Sequence, residues 1–342
     1  MKSNYRYIVK AFMAMAVIAG TTSCDDFLDR EPMSSISPET YYSTAAQLEA
    51  NLNDEYPNVL PSFGQWTYGI FGEDKGTDNQ IEVNANDRYT QDRWKVPHSE
   101  SDNWKFERIY RINFFLSEAL PKFGEDMSGS QNTISGSVAT IKHYIGEMYF
   151  LRAYEYFKKL QLFGDFPIIN QPLADEMEAL REASKRFPRN EVARFIISDL
   201  DKAYAYMSDV DMATTRINKD VAMLVKSRVA LFEATWLQNF KGTAFVPGGE
   251  GWPGASLHNN YQYPSGNIDN EVKYFLEQAV EASKLVADKY KGSLTENTGV
   301  LQQSADDPSN PYFDMFAQED LSDVKEVLLW RQYARGLSTH NI

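Results

Sequence analysis

The chain has 342 residues, a formal net charge of −14 and a single cysteine. Its 48 Asp and Glu residues outnumber its 34 Lys and Arg residues, which makes nucleic acid an unsuitable partner. One cysteine excludes an intramolecular disulfide, so an exported form of this chain must depend on its hydrophobic core. Aromatic residues make up 13 % of the chain, which is typical of a folded protein rather than a disordered one.

The N-terminus has the pattern of a secretory signal peptide over residues 1–23. Three cationic residues precede an apolar run over residues 11–20, which is too short for a membrane-spanning helix. Small residues then lead directly to Cys24, as in a bacterial lipoprotein signal that is cleaved before the cysteine. We expect Cys24 to be lipidated and its acyl chains to anchor the protein at a membrane. An ordinary signal peptide with a chance cysteine is the alternative.

Apolar residues at helical spacing predict six helices, several of them adjacent in pairs. They are expected at about 38–53, 104–120, 138–163, 190–207, 218–236 and 270–290. Residues 146–169 form the densest pattern, apolar on two faces, and therefore predict an inner helix that ends at Gly164. On its remaining face, Glu155 is expected to form an exposed pairing with Lys158 and Lys159.

Two asparagines are predicted to cap helices, Asn190 and Asn218. The last predicted helix is expected to turn one stripe of its residues toward the core. That stripe is Val272, Leu276, Ala279, Ser283 and Val286.

Two long segments, 55–102 and 241–268, show no helical period and contain many Gly, Pro, Asn and aromatic residues. Tryptophan and tyrosine rings stack on the apolar C–H faces of sugars, so aromatics on such loops are candidates for glycan binding. The candidates are Trp66, Tyr68, Trp94, Trp252, Tyr261 and Tyr263. The alternative is that these rings pack the loops onto the helical body. If Trp252 binds ligand, its replacement by alanine should leave the melting temperature nearly unchanged.

No motif for a nucleophilic hydrolase, a nucleotide-binding loop or a zinc protease occurs, and the four histidines lack ligand spacing. The acidic run from Glu73 to Asn79 could offer oxygens to calcium but lacks the EF-hand spacing. We therefore predict no catalytic residue, no metal site and no cofactor.

Five segments, in order along the chain, resemble the SusD/RagB family of surface lipoproteins that capture nutrients, usually glycans. They are CDDFLD at 24–29, GEMYFLRAY at 146–154 with FGDFP at 163–167, DLDKA at 199–203, RINK at 216–219 and VLLW at 327–330. The resemblance implies a mostly α-helical fold of tetratricopeptide-like pairs with long ligand-binding loops. It divides the chain into an N-terminal helical-repeat region at 24–240 and an incomplete C-terminal region at 241–342. Family members continue well past the VLLW motif, so we expect a truncated chain or a fragment.

The resemblance also implies a SusC-like TonB-dependent transporter as partner and a position on the outer membrane. Asp25 and Asp26, after the lipidated cysteine, resemble a signal for surface display, although a solvated tether explains them equally well. The resulting prediction is a non-catalytic, lipid-anchored protein that captures polysaccharides or oligosaccharides. A helical scaffold of the envelope without a small ligand is the alternative, and an exported glycoside hydrolase is a third hypothesis.

Overall fold

The computed structural model describes residues 41–61, 77, 79–80, 91, 103–124, 126–208, 212–301, 303–304 and 306–333. Within these ranges the fold is helical and contains no strand, in agreement with the predicted fold class. The helices are α1 (Ala45–Val59), α2 (Glu107–Phe123), α3 (Val138–Phe163), α4 (Met177–Ala183), α5 (Arg189–Tyr206), α6 (Lys219–Asn239), α7 (Ile268–Tyr290) and α8 (Pro311–Met315).

Helix α3 lies at the centre and packs against α1, α2 and α5. Its apolar residues are covered on both faces, with Tyr149 and Phe157 only 7 % and 4 % exposed. The side chain of Ser137 caps the helix N-terminus, and Gly164 ends it at a positive φ of 67°. The prediction of an inner helix that ends at Gly164 is confirmed.

The remaining long helices continue the array, because α6 packs against both α5 and α7. The backbones of α3 and α5 approach so closely that a Cβ atom at Gly146 would lie 2.8 Å from the Met207 amide nitrogen. Successive antiparallel helices that each contact their neighbours are the arrangement of helical-repeat proteins.

Several local predictions are wrong. The predicted pairing of Glu155 with Lys158 and Lys159 forms, at 2.6 and 3.5 Å, but Glu155 and Lys159 are buried rather than exposed. Lys159 Nζ also donates to the Asn103 carbonyl at 2.8 Å, in the segment that precedes α2. For the helix expected at 38–53, residues 38–40 lie outside the described residues, and the structure shows α1 continuing to Val59, with a capping box of Thr44 and Gln47 at its start. The helix expected at 104–120 begins at Glu107 and continues to Phe123.

The cap predicted at Asn190 is also wrong, because α5 begins at Arg189 and Asn190 is a buried residue of its first turn. The cap at Asn218 is confirmed, since its side chain accepts from the amides of Asp220 and Val221. The inner face of α7 is rotated from the predicted one, with Leu276 37 % exposed and Ser283 exposed. The buried residues of α7 are Glu271, Phe275, Ala279, Ala282 and Val286.

Buried ion pairs connect these helices. Arg152 on α3 holds Asp199 on α5 with two hydrogen bonds of 2.6 and 2.8 Å. Arg189 on α5 holds Glu233 on α6, and Arg194 on α5 holds Glu271 on α7. Planar guanidinium groups bind carboxylates in a fixed orientation, so each pair determines which faces of two helices meet.

The apolar run at 327–330 returns to the helical body. The indole Nε1 of Trp330 donates to the Thr214 hydroxyl at 2.8 Å, and the Asn218 amide donates to the Leu328 carbonyl at 2.9 Å. The run therefore lies beside the beginning of α6. Of the helices in the described ranges, none combines the length and the apolar character that crossing a bilayer requires.

Candidate functional site

A cavity of about 500 Å³ opens between the end of α3, the segment before α5 and the loop at 241–267. Its size lies within the range of small-ligand sites in proteins. Aromatic rings and a few charged groups form its walls, among them Phe163, Asp165, Arg186, Trp236, Phe245 and Trp252.

The loop at 241–267 brings together three of the aromatics predicted from the sequence. The ring centroids of Trp252 and Tyr261 are 5.6 Å apart, and those of Tyr261 and Tyr263 are 5.2 Å apart. Of these three rings, Trp252 lines the cavity. Tyr261 bonds to Asn190 on α5, and Tyr263 packs against the hydrophobic core while it bonds within the loop.

The polar atoms of these three side chains are bound by the protein itself. Trp252 Nε1 donates to Asp165 Oδ2 at 2.7 Å, and Tyr263 Oη donates to the Pro247 carbonyl at 2.7 Å. Tyr261 Oη donates to Asn190 Oδ1 at 3.0 Å. Buried polar groups need hydrogen-bond partners, and these bonds supply them. The three side chains therefore stabilise the loop whether or not they also bind a ligand.

Trp252 is only 5 % exposed. The expectation that its removal would leave the melting temperature unchanged is therefore at odds with the structure, since it assumed a ring that projects from the loop. The candidates Trp66, Tyr68 and Trp94 and the lipidation site Cys24 lie outside the described residues. The binding role of all six aromatics stays a prediction.

Three cavity residues were not chosen from the sequence. Trp236 lies near the end of α6 at a helical spacing that favours a core position, but its indole Nε1 donates to the Phe245 carbonyl at 3.1 Å. Phe245 stands in the loop at 241–268 without further signal, and its ring is the most exposed one in the cavity wall at 61 %. For Arg186 the sequence carries no signal, because its place depends on contacts with distant segments.

Asp165 connects the loop to the beginning of α5. Its Oδ2 accepts from Trp252, and its Oδ1 accepts from the Arg189 amide at 2.9 Å, a group that α5 itself leaves unbound. Burial raises the pKa of the Asp165 carboxyl above its usual value, and these hydrogen bonds oppose that shift only in part. The Asp165 carboxylate lies at the N-terminus of α5, where the positive end of the helix dipole favours its negative charge.

The second cation at the cavity, Arg189, is already neutralised. Its guanidinium donates to both oxygens of Glu233 at 2.8 to 3.1 Å and lies 4.1 Å above the Trp236 ring.

Among the described lining residues Asp165 is the single carboxylate, whereas glycoside hydrolysis uses a pair of them across the bond that is cleaved. The arrangement suits binding: apolar ring faces for stacking and a polar rim for hydroxyl groups.

The fold and the cavity define a class: a helical-repeat protein that carries an aromatic-walled pocket on a long loop. A family profile described as SusD-like, starch-binding associating with outer membrane, matches residues 26–231. The chain belongs to this SusD-like family, which confirms the resemblance found in the sequence.

The curated relatives include two SusD-like proteins of Formosa agariphila. SusD-like protein P2 is 25 % identical over 253 residues, which cover 70 % of this chain and 46 % of the relative. SusD-like protein P25 is 25 % identical over 233 residues, which cover 63 % and 41 %. The chain thus spans less than half the length of the curated relatives it matches.

Solved structures of SusD-like proteins are also similar. A SusD-like carbohydrate binding protein of Bacteroides vulgatus matches with a TM-score of 0.41 and 15 % identity, covering 75 % of this chain and 47 % of that one. A SusD-like carbohydrate binding protein of Bacteroides fragilis gives a TM-score of 0.42 and 15 % identity, covering 75 % and 42 %.

Proposed function

We propose that this protein captures glycans at the cell surface and delivers them to a SusC-like TonB-dependent transporter of the outer membrane. It binds without cleaving, and the lipid on Cys24 anchors it. The observation that carries the proposal is the aromatic-walled cavity on the loop at 241–267. Membership in a family described as starch-binding and associated with the outer membrane supports it.

Sugar rings are expected to stack on the accessible aromatic faces of the cavity, foremost Phe245, which is 61 % exposed. The backbone there is positioned by the bond from Trp236 Nε1 to the Phe245 carbonyl. A side chain that is this exposed contributes little to the core, so its removal separates binding from folding.

The test is calorimetric titration of the purified protein against a panel of polysaccharides and oligosaccharides. We expect heat with at least one glycan, and for Phe245→Ala an affinity lower by up to about tenfold, the loss of one stacking contact. Phe316→Ala is the matched control, because Phe316 is 68 % exposed and lies outside the cavity. Absence of heat with every glycan would contradict the proposal, and release of reducing ends would replace it with a hydrolase.

A second candidate function is a scaffold of the envelope that binds no small ligand. It is favoured by an apolar groove of about 830 Å³ between α6 and α7, where Leu231 and Val280 are 51 % and 63 % exposed. Binding to a SusC-like transporter, without heat from any glycan, would favour the scaffold.

A further inference from the structure

The segment at 181–189 carries a local excess of positive charge in an acidic protein. Arg181, Lys185, Arg186 and Arg189 stand against a single carboxylate, Glu182. Lys185 is paired with Glu182 at 2.5 Å, and Arg189 with the buried Glu233. Arg186 lines the cavity, and among the described residues no carboxylate lies within ion-pair distance of it.

Contacts on both sides hold Arg186 in position. The next residue, Phe187, exchanges two backbone hydrogen bonds with Phe166, at 3.0 and 3.1 Å. His258 Nε2 donates to the Arg186 carbonyl at 2.8 Å, which connects this segment to the cavity loop. The guanidinium carbon lies 4.6 Å from the centre of the Trp104 ring, so the charged group rests on an aromatic face. Such preorganisation lowers the entropy cost of binding.

We propose that the cavity selects anionic glycans, with Arg186 binding a carboxylate or sulfate group while neighbouring rings stack on the sugars. This inference rests on the proposed glycan capture. A guanidinium matches a carboxylate or a sulfate with two parallel hydrogen bonds, which a neutral sugar hydroxyl cannot accept in the same way.

The one acidic group in the wall does not oppose this. Both oxygens of Asp165 accept hydrogen bonds from the protein, one from Trp252 Nε1 and one from the Arg189 amide. Arg189 and Glu233 neutralise one another behind the cavity. Arg186 is therefore the charge that an entering ligand meets.

The experiment compares ligands that differ only in charge. An oligogalacturonate is titrated beside its methyl ester, and a sulfated oligosaccharide beside its desulfated form, which distinguishes the two sources of negative charge. We expect at least one anionic member to bind about tenfold more tightly than its neutral counterpart, the effect of one charge-assisted hydrogen-bond pair. High salt should reduce the difference.

Two variants locate the effect. Arg186→Gln should weaken binding of the anionic member about tenfold more than binding of the neutral member, and so remove most of the preference. Lys185→Gln removes the same charge one residue away, from a side chain that is 52 % exposed and outside the cavity, and should keep the preference.

Equal affinity of both members in each pair would overturn the selection of anionic glycans and leave glycan capture intact. Equal losses in the two variants would also overturn it, because they would show a diffuse effect of charge. No binding of any glycan would overturn glycan capture and this inference with it.

Discussion

Trp252 shows how one side chain can belong both to a binding surface and to the core. Its ring forms part of the cavity wall, while its Nε1 donates to Asp165, which lies just after the end of α3. Only 5 % of its surface is exposed, so the ring packs against the protein over nearly all of its area. A change at this position therefore alters stability as well as the shape of the cavity.

We expect Trp252→Ala to lower the free energy of unfolding by about 3–5 kcal/mol, the range for deleting a large buried aromatic ring. Urea denaturation followed by circular dichroism measures this loss. Trp252→Phe is the matched variant, since it keeps a ring while it loses the donor to Asp165 and part of the indole volume, and it should cost less than alanine, about 1–3 kcal/mol. An alanine variant as stable as the wild type would mean that the loop does not depend on this ring.

The candidate residues were recognised from the sequence by type and by their loop, but not by their contacts. A loop rich in glycine and proline predicts exposed aromatics, but the predicted Trp252 is only 5 % exposed, whereas Phe245, which was not a predicted binding residue, is 61 % exposed. The partners of Trp252 and Tyr261 lie 87 and 71 residues away, on Asp165 and Asn190, and no local pattern reveals them. For the same reason Asn190 looked like a helix cap, although its amide binds Tyr261 and Glu271.

At the scale of the elements, the packing of α3 against α5 depends on the absence of a side chain at Gly146. A Cβ atom there would lie 2.8 Å from the Met207 nitrogen and 3.0 Å from the Ala203 carbonyl oxygen, and backbone atoms cannot rotate away. The close approach places the two helices so that Arg152 and Asp199 meet.

We expect Gly146→Ala to destabilise the protein by about 1–2 kcal/mol, as urea denaturation would show. Alanine favours a helix over glycine by about 1 kcal/mol, but forced separation of packed helices costs more. Gly292→Ala is the control, because a Cβ atom at Gly292 has no neighbour within 4 Å. A stabilised Gly146→Ala variant would show that α3 and α5 separate at little cost.

The elements themselves were largely predictable. The two-sided apolar pattern of α3 could only describe an inner helix, and the structure places it against three others. The inner face of α7 was predicted less well. Both Val272, on the predicted stripe, and Phe275, on the buried one, are apolar, so two neighbouring stripes of this helix match the helical period almost equally. In the structure the stripe that contains the buried Glu271 faces the core. A pattern of apolar residues cannot reveal a buried charged residue.

At the scale of the whole molecule, Glu271 joins three parts of the fold. Its carboxylate accepts from Arg194 and Asn190 on α5 and from the Ser265 amide of the cavity loop. Burial alone would raise the pKa of Glu271, but these hydrogen bonds outweigh it and leave the pKa below its usual value. The charged form is therefore the one that the folded protein stabilises.

We expect Glu271→Gln to be less stable than the wild type by about 1–3 kcal/mol at neutral pH. The unfolded chain takes up the proton at a higher pH than the folded one, so this contribution is present above the usual pKa of 4.5. This contribution is lost as the pH falls through the lower pKa of the folded state, and the free energies of unfolding of the two proteins should then become equal.

Urea denaturation between about pH 3 and pH 7 measures this convergence. Glu277→Gln is the control, since Glu277 lies on the same helix with its side chain 65 % exposed and should have little effect at any pH. If the difference in free energy of unfolding between Glu271→Gln and the wild type stays constant with pH, the lowered pKa of Glu271 is contradicted.

The double role of Asp165 limits how the cavity loop can change during evolution. Its two oxygens serve the indole of the loop and the first amide of α5. A loop taken from a relative without a donor at this point would leave a carboxylate oxygen unpaired where α5 begins. Loop and acceptor must therefore be inherited together, so altering the specificity of this cavity by exchanging loops requires the end of α3 to be transferred as well.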